Sequence, residues 1–306
     1  VSNAVVLPMT GWLSRMFGRK RFLMTCIILF TLASLLCGAA PNLASLIFFR
    51  VVQGAAGGAL IPISQAILME TFPPQQQGMA MAIFGIGAMF GPIVGPALGG
   101  WITDNLNWRW IFYINLPIGL IAISMCSLFI FDPEYLRRKS GEVLRIDYWG
   151  LFLLTTSMGA LQVVLDKGQQ EDWFNSSFIL AFSVITAVSL MALIWVELTH
   201  PHPIVNLRLF KNISFSAGNL IMFVVGFCLY SSIMLIPLFL QTLVGYSATD
   251  AGMVMAPGGV ATLITMPFVG AMLGKRDGRK IVLTGLLVGA TAMFIMQRLS
   301  LEASYW

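Results

Sequence analysis

Charged residues are scarce in this 306-residue sequence. Asp, Glu, Lys and Arg together form 10% of it, against roughly 25% in soluble domains. The four cysteines have no metal-ligand or CxxC spacing, and the histidine pair, His200 and His202, has no third ligand nearby in sequence. No GxxxxGK[ST] nucleotide loop and no nucleophile–base pair in a polar loop are present. The sequence therefore predicts neither an enzyme nor a metal or cofactor site, and the net charge of +5 lies in loops between apolar runs rather than in a nucleic-acid-binding patch.

Long apolar runs are abundant instead. Hydrophobic residues form 58% of the chain. Apolar runs of about twenty residues recur along it, each long enough to cross a hydrocarbon core of roughly 30 Å, except the shorter first run. The sequence thus predicts an all-α polytopic membrane protein in contact with the lipid bilayer. Its first run begins at Val1 and only a short tail follows the last, so we expect an internal fragment truncated at both ends. The predicted segments are 1–14, 22–40, 43–69, 78–102, 111–131, 149–165, 177–197, 214–243, 251–273 and 281–298.

The basic residues predict the orientation of these segments. Lys and Arg collect in cytoplasmic loops, and placing the loop after the first segment there leaves only Arg109 and Lys167 on the opposite side. Arg50 and Arg298 lie inside segments, and the other basic residues fall on the cytoplasmic side. The predicted domains are an N-terminal bundle (1–131), a cytoplasmic linker (132–148), two additional helices (149–198) and a C-terminal bundle (199–306).

Residues 78–102, GMAMAIFGIGAMFGPIVGPALGGWI, combine many helix weakeners with a complete lack of charge. Glycines at 87, 91, 95 and 99 lie on one slowly drifting helix face, where small residues let a neighbouring backbone approach closely. Pro96 removes a helix hydrogen bond and permits a bend. The pattern predicts a tight helix–helix contact, and it does not decide between a mechanistic contact and a fixed packing groove.

Several motifs, in order along essentially the whole chain, resemble one family. GPIVGPALGG (91–100) resembles the antiporter signature of the major facilitator superfamily, and GWLSRMFGRKR (11–21) is similar to its loop motif. LIFFRVVQGAAGGALIP (46–62) resembles its helix-four motif, which is built around an arginine. WRWIFYINLPIG (108–119) and LDKGQQEDWF (165–174) resemble the fourteen-helix drug:proton antiporters of the EmrB subtype. A GRK turn that recurs at 278–280 also suggests two duplicated bundles. The resemblance implies a major facilitator fold with two bundles and two extra helices.

The resemblance also implies roles for particular residues. The antiporter motif would be Gly91, Pro92, Gly95, Pro96, Gly99 and Gly100, and the cytoplasmic gate loop would be Gly11, Gly18, Arg19, Lys20 and Arg21. Arg15 stands where the loop motif usually has an acid, and the family's functional acid lies in a first helix outside this sequence.

Arg50 is a charged residue inside the predicted membrane segment 43–69. A lone charge at its depth costs at least about 2.5 kcal/mol, so such residues face a cavity or a partner. Gln53 lies one turn further on the same side, and Gly54 and Gly58 form a close-packing pair. The family resemblance implies a role for Arg50 near a proton pathway, the alternative being an arginine that only satisfies backbone carbonyls at a bundle interface. The substrate-cavity candidates, each of which could instead form an interhelical hydrogen bond, are Gln53, Gln65, Asn219, Tyr230 and Gln241.

These observations predict a transporter of the bacterial inner membrane. The leading hypothesis is multidrug efflux of amphipathic, lipophilic drug-like compounds in exchange for protons. The resemblance also implies a periplasmic adaptor and an outer-membrane channel as partners. The alternatives are a substrate-specific exporter of the same fold and a non-transporting membrane scaffold or receptor.

Overall fold

Helices account for almost all of the described chain. The computed structural model describes residues 2–131, 147–201, 203–273 and 277–297. Short 3₁₀ turns at Trp173–Asn175 and Leu207–Lys211 supplement the helices. The α-helices are α1 (Ser2–Phe17), α2 (Arg19–Ala39), α3 (Leu43–Thr71), α4 (Pro74–Asn105), α5 (Trp110–Tyr113), α6 (Asn115–Phe129), α7 (Tyr148–Lys167), α8 (Ser177–Thr199), α9 (Ile213–Phe239), α10 (Ala248–Leu273) and α11 (Gly278–Met296).

Most predicted segments correspond to one α-helix; 111–131 corresponds to the pair α5 and α6, and 214–243 corresponds to α9 and the π-helical turn that follows it. Eight spans in the described residues are long and apolar enough to cross a membrane. Proline does not end these helices: Pro62 lies inside α3, and Pro257 and Pro267 lie inside α10. Lipid offers the backbone no competing hydrogen-bond partner, so a helix persists past a proline that would break it in water.

The chain divides into two compact units. The first comprises residues 1–64 and 112–215. Within it, α2 packs on α6 and α7 packs on α8. Met9 of α1 joins Leu154, Leu193 and Ile204 in a buried apolar cluster.

The second unit comprises residues 65–111 and 216–306. Its main packing is between α4 and α10. α9 continues beyond Pro237 into a π-helical turn, Leu240–Val244. Gly245, at φ +81°, ends that turn, and the N–H of Tyr246 donates to the carbonyl of Leu240 at 2.9 Å. Many large apolar side chains of α9 are exposed, such as Met222, Phe223 and Phe227, which suits a lipid-facing surface. The four domains predicted from the sequence, 1–131, 132–148, 149–198 and 199–306, remain a prediction.

Candidate functional site

Arg50 lies in a small cluster within the first unit. Its Nη1 donates to Oε1 of Gln53 at 3.2 Å, because a spacing of three residues places both side chains on one face of α3. The guanidinium stands 4.5 Å from the centroid of the Phe112 ring, an arrangement in which the ring face attracts a cation. No carboxylate in the described part of the chain forms an ion pair with it. The cation is therefore held by an amide and a ring, with its charge uncompensated there.

Gln53 is the support of this cation rather than part of an open surface. It is 4% exposed, and the Cys37 thiol lies 4.0 Å from the same Oε1 atom. Its carbonyl oxygen is thus used by Arg50 inside the protein. Gln53 was expected as a cavity residue, but in the structure it is buried and hydrogen-bonded to Arg50.

Two polar residues that the motifs did not single out position Phe112. The Ser34 hydroxyl donates to the backbone carbonyl of Phe112 at 2.9 Å, and Nδ2 of Asn115 donates to the Ser34 hydroxyl at 2.9 Å. Ser34 is fully buried. Their signal in the sequence was that Ser34 and Asn115 are polar groups within apolar runs, which in lipid need a partner; Asn115 also lies within the motif at 108–119.

Gly54 and Gly58 pack closely, as predicted. A Cβ on Gly58 would stand 2.7 Å from Oδ1 and 2.9 Å from the carbonyl oxygen of Asn3, and one on Gly54 would stand 2.5 Å from the Ser2 hydroxyl. The start of α1 therefore lies directly against α3, one turn beyond Arg50.

The glycine face of α4 corrects one expectation. A Cβ at 87, 91, 95 or 99 would meet no described atom within 4 Å, so the expected close approach is absent at these positions. Close approach occurs nearer the start of α4, where a Cβ on Gly270 of α10 would collide with that of Ala82. At the far end of α4, the Thr249 hydroxyl donates to Oδ2 of Asp104 at 3.0 Å.

An open groove of about 370 Å³ lies between these two contacts of α4 with α10. Glycine has no side chain to fill it, so the α4 face lines the groove rather than closing it. The π-helical turn brings Gln241 to the same groove, and π turns recur at functional sites. The lining residues are Gly95, Gly99, Gly100, Thr103, Ile111, Pro237, Gln241 and Gly252. Pro92 and Pro96 lie in the same continuous helix.

The predicted gate loop is a tight turn between α1 and α2. Gly18 has φ +83° and ψ 147°, a conformation that essentially only glycine adopts. Lys20 donates to the carbonyl oxygen of Ser127 at 2.8 Å and lies 5.1 Å from the centroid of the Phe131 ring. A cation at the last turn of α6 is favoured by the helix dipole. The turn is thus fastened to the end of α6.

Comparison with known proteins identifies the family. A model of the Major Facilitator Superfamily matches residues 1–306. The chain belongs to the major facilitator superfamily. Members of this superfamily are membrane transporters and not enzymes, and the all-α membrane fold is confirmed.

Curated relatives from the major facilitator superfamily extend the match. The Multidrug export protein EmrB of Haemophilus influenzae is 40% identical over 296 residues, and its Escherichia coli K12 namesake is 39% identical over 294 residues. The Fatty acid resistance protein FarB of Neisseria gonorrhoeae is 38% identical over 297 residues. Each match covers 96% of this chain but only 57% of the relative's length. The EmrB-type resemblance and the location in the bacterial inner membrane are thereby confirmed.

The remaining cavity candidates of this major facilitator protein do not form one cluster. Gln65 is half-buried on α3, and Asn219 lies exposed near the start of α9. Tyr230, near the middle of α9, is 71% exposed. At about 1.5 Å per residue, Asn219 and Gln241 stand roughly 33 Å apart along the helix. Gln241 alone among these candidates lines the groove.

Proposed function

We propose that this protein exports amphipathic, often cationic, lipophilic compounds across the bacterial inner membrane in exchange for protons. Two relatives that match 96% of the chain carry the name Multidrug export protein. The observation on which the proposal mainly rests is the Arg50 cluster. A cation without a carboxylate partner in the described residues is costly within a membrane and marks a functional position.

Arg50 would tune proton release. An uncompensated positive charge lowers the affinity of a neighbouring acid for its proton, because it favours the charged carboxylate. The amide of Gln53 and the ring of Phe112 fix the guanidinium in place without neutralising it. Its field therefore reaches any titrating group or cationic substrate that comes near.

The groove on α4 would contact substrate. Its walls are mainly glycine and apolar groups, with the Gln241 amide and the Thr103 hydroxyl as polar exceptions, which fits a site that accepts varied lipophilic compounds. Gly91, Pro92, Gly95, Pro96, Gly99 and Gly100 would form the antiporter motif that limits leak. Gln65, Asn219 and Tyr230 remain proposed cavity residues.

The turn after α1 would act as a cytoplasmic gate. Gly18 sets the geometry of the turn, and Lys20 joins it to α6 by a hydrogen bond. Gly11, Arg19 and Arg21 would move together with this turn. A periplasmic adaptor and an outer-membrane channel are proposed partners.

A substrate-specific exporter of the same fold is the second candidate. It is favoured by the relative named Fatty acid resistance protein FarB, at 38% identity. The two candidates differ in the range of compounds moved, and a non-transporting scaffold differs from both in moving none.

The test uses the full-length protein in proteoliposomes with an imposed pH gradient. We expect gradient-driven movement of a fluorescent lipophilic cation that a protonophore abolishes and that Arg50→Ala lowers at least tenfold. Lys167→Ala, which removes an exposed cation elsewhere, is the matched control and should transport normally. Movement of fatty acids alone would favour the specific exporter. Movement that ignores the gradient, or none across a broad panel, would refute proton-coupled export.

A further inference from the structure

Two acidic side chains meet inside the first unit, away from Arg50. Asp147 precedes α7 and Glu197 lies in the last turns of α8, 3% and 0% exposed respectively. Sequence reasoning placed Asp147 in the linker and Glu197 at a segment end, and did not pair them. By the predicted topology, both lie at the cytoplasmic end of the α7–α8 pair.

Each carboxylate uses one oxygen for a backbone contact. Oδ1 of Asp147 accepts from the N–H of Gly150 at 2.8 Å and caps α7, and Oε2 of Glu197 accepts from the N–H of Val205 at 3.1 Å. The other two oxygens, Asp147 Oδ2 and Glu197 Oε1, are buried without a hydrogen bond. A Cβ built on Gly150 would stand 2.6 Å from the first and 3.0 Å from the second. The two unsatisfied oxygens therefore face the same point, next to Gly150, and lie within about 6 Å of each other.

One histidine stands beside the pair. Nδ1 of His200 stands 3.6 Å from Asp147 Oδ2, and its side chain is 35% exposed. Arg208 donates to the backbone carbonyl of Leu198 at 2.9 Å. The described residues of α1 packed nearby, Met9 and Trp12, carry no charge. Among described side chains, Asp147 and His200 are thus the titratable groups that face Glu197.

We propose that Asp147 and Glu197 form a proton-binding site. At neutral pH, a proton held on Glu197 Oε1 forms a hydrogen bond to Asp147 Oδ2. Two neighbouring buried carboxylates cannot both stay charged, so one keeps its proton. The proton satisfies both unpaired oxygens in one hydrogen bond.

The bound proton would clamp the cytoplasmic ends of α7 and α8 together. Glu197 also holds Val205, so the clamp includes the segment that leads into α9. Loss of the proton would leave two buried negative charges side by side and would loosen all three segments. The site is independent of the proposed transport activity.

The experiment measures unfolding of the full-length protein in detergent from pH 5 to pH 10, beside Glu197→Gln. Unfolded glutamate releases its proton at about pH 4.3, so a folded state that keeps one proton loses stability as pH rises. The expected loss is tenfold in the folding equilibrium per pH unit relative to Glu197→Gln, up to the pH where the folded pair releases its proton. Glu171→Gln, a substitution in an exposed loop, should follow the wild type.

If Glu197→Gln folds poorly, two further measurements test for the bound proton. Infrared spectra of the wild type at neutral pH should show a protonated carboxyl band that is missing in Glu197→Gln. In Asp147→Asn the like charge is gone, so this band should titrate at lower pH than in the wild type. Absence of the band, an equal titration in Asp147→Asn, or a pH-independent difference between wild type and Glu197→Gln would each overturn the shared proton.

Discussion

Two glycine-to-alanine substitutions on α4 and α10 should have opposite effects on stability. At Gly270 a Cβ would collide with that of Ala82 and stand 3.1 Å from the carbonyl oxygen of Gly78. The backbone cannot yield as a flexible side chain does, so Gly270→Ala should lower the free energy of unfolding by about 1–3 kcal/mol, the range for overpacking. At Gly99 a Cβ would meet no described atom within 4 Å. Gly99→Ala should therefore be neutral or stabilise by up to about 1 kcal/mol, because alanine favours the helix.

The assay is the unfolding midpoint of the purified full-length protein in detergent, followed by circular dichroism. Ala82→Gly supplies the matched control, since it removes the methyl group that Gly270→Ala would meet. The two substitutions should couple, with the double variant more stable than the sum of the single effects predicts. If Gly99→Ala destabilises as much as Gly270→Ala, the glycine face is tightly packed and the groove is not open.

Two other substitutions test the turn after α1 and the support of Arg50. Gly18→Ala should lower the free energy of unfolding by about 1–3 kcal/mol, because a side chain at φ +83° is strained. The same unfolding assay measures this loss, and an unchanged midpoint would refute the strained turn. Ser34→Ala should cost about 1–3 kcal/mol by removing the buried hydroxyl that donates to the Phe112 carbonyl, and it should slow transport in proteoliposomes. Ser124→Ala, which removes an exposed hydroxyl that donates to a carbonyl of its own helix, should change neither. Normal transport in Ser34→Ala would separate Ser34 from Arg50.

The elements were predictable because their signal is local. Apolar runs placed the α-helices of the described residues, and helical spacing placed Gln53 beside Arg50 and Gly54 beside Gly58. Contacts between helices have no such signal. Ser34 and Phe112 are 78 residues apart in sequence, and their pairing depends on how α2 and α6 align. The Asp147–Glu197 pair escaped prediction for the same reason, because it joins the start of one helix to the end of another.

The glycine face of α4 shows why a small-residue pattern alone cannot separate a contact from a groove. Lipid is as apolar as leucine, so no hydrophobic force draws a glycine face onto a neighbour, and association depends on how surfaces fit. The outcome is decided by the opposite helix. Near the start of α4, Gly270 lies opposite Ala82 and the backbones meet; further along, Pro237 and the π-helical turn that carries Gln241 line open space across from Gly95 and Gly99. The contact near the start of α4 thus depends on Gly270 of α10, whereas the regularly spaced glycines of α4 itself leave the groove open.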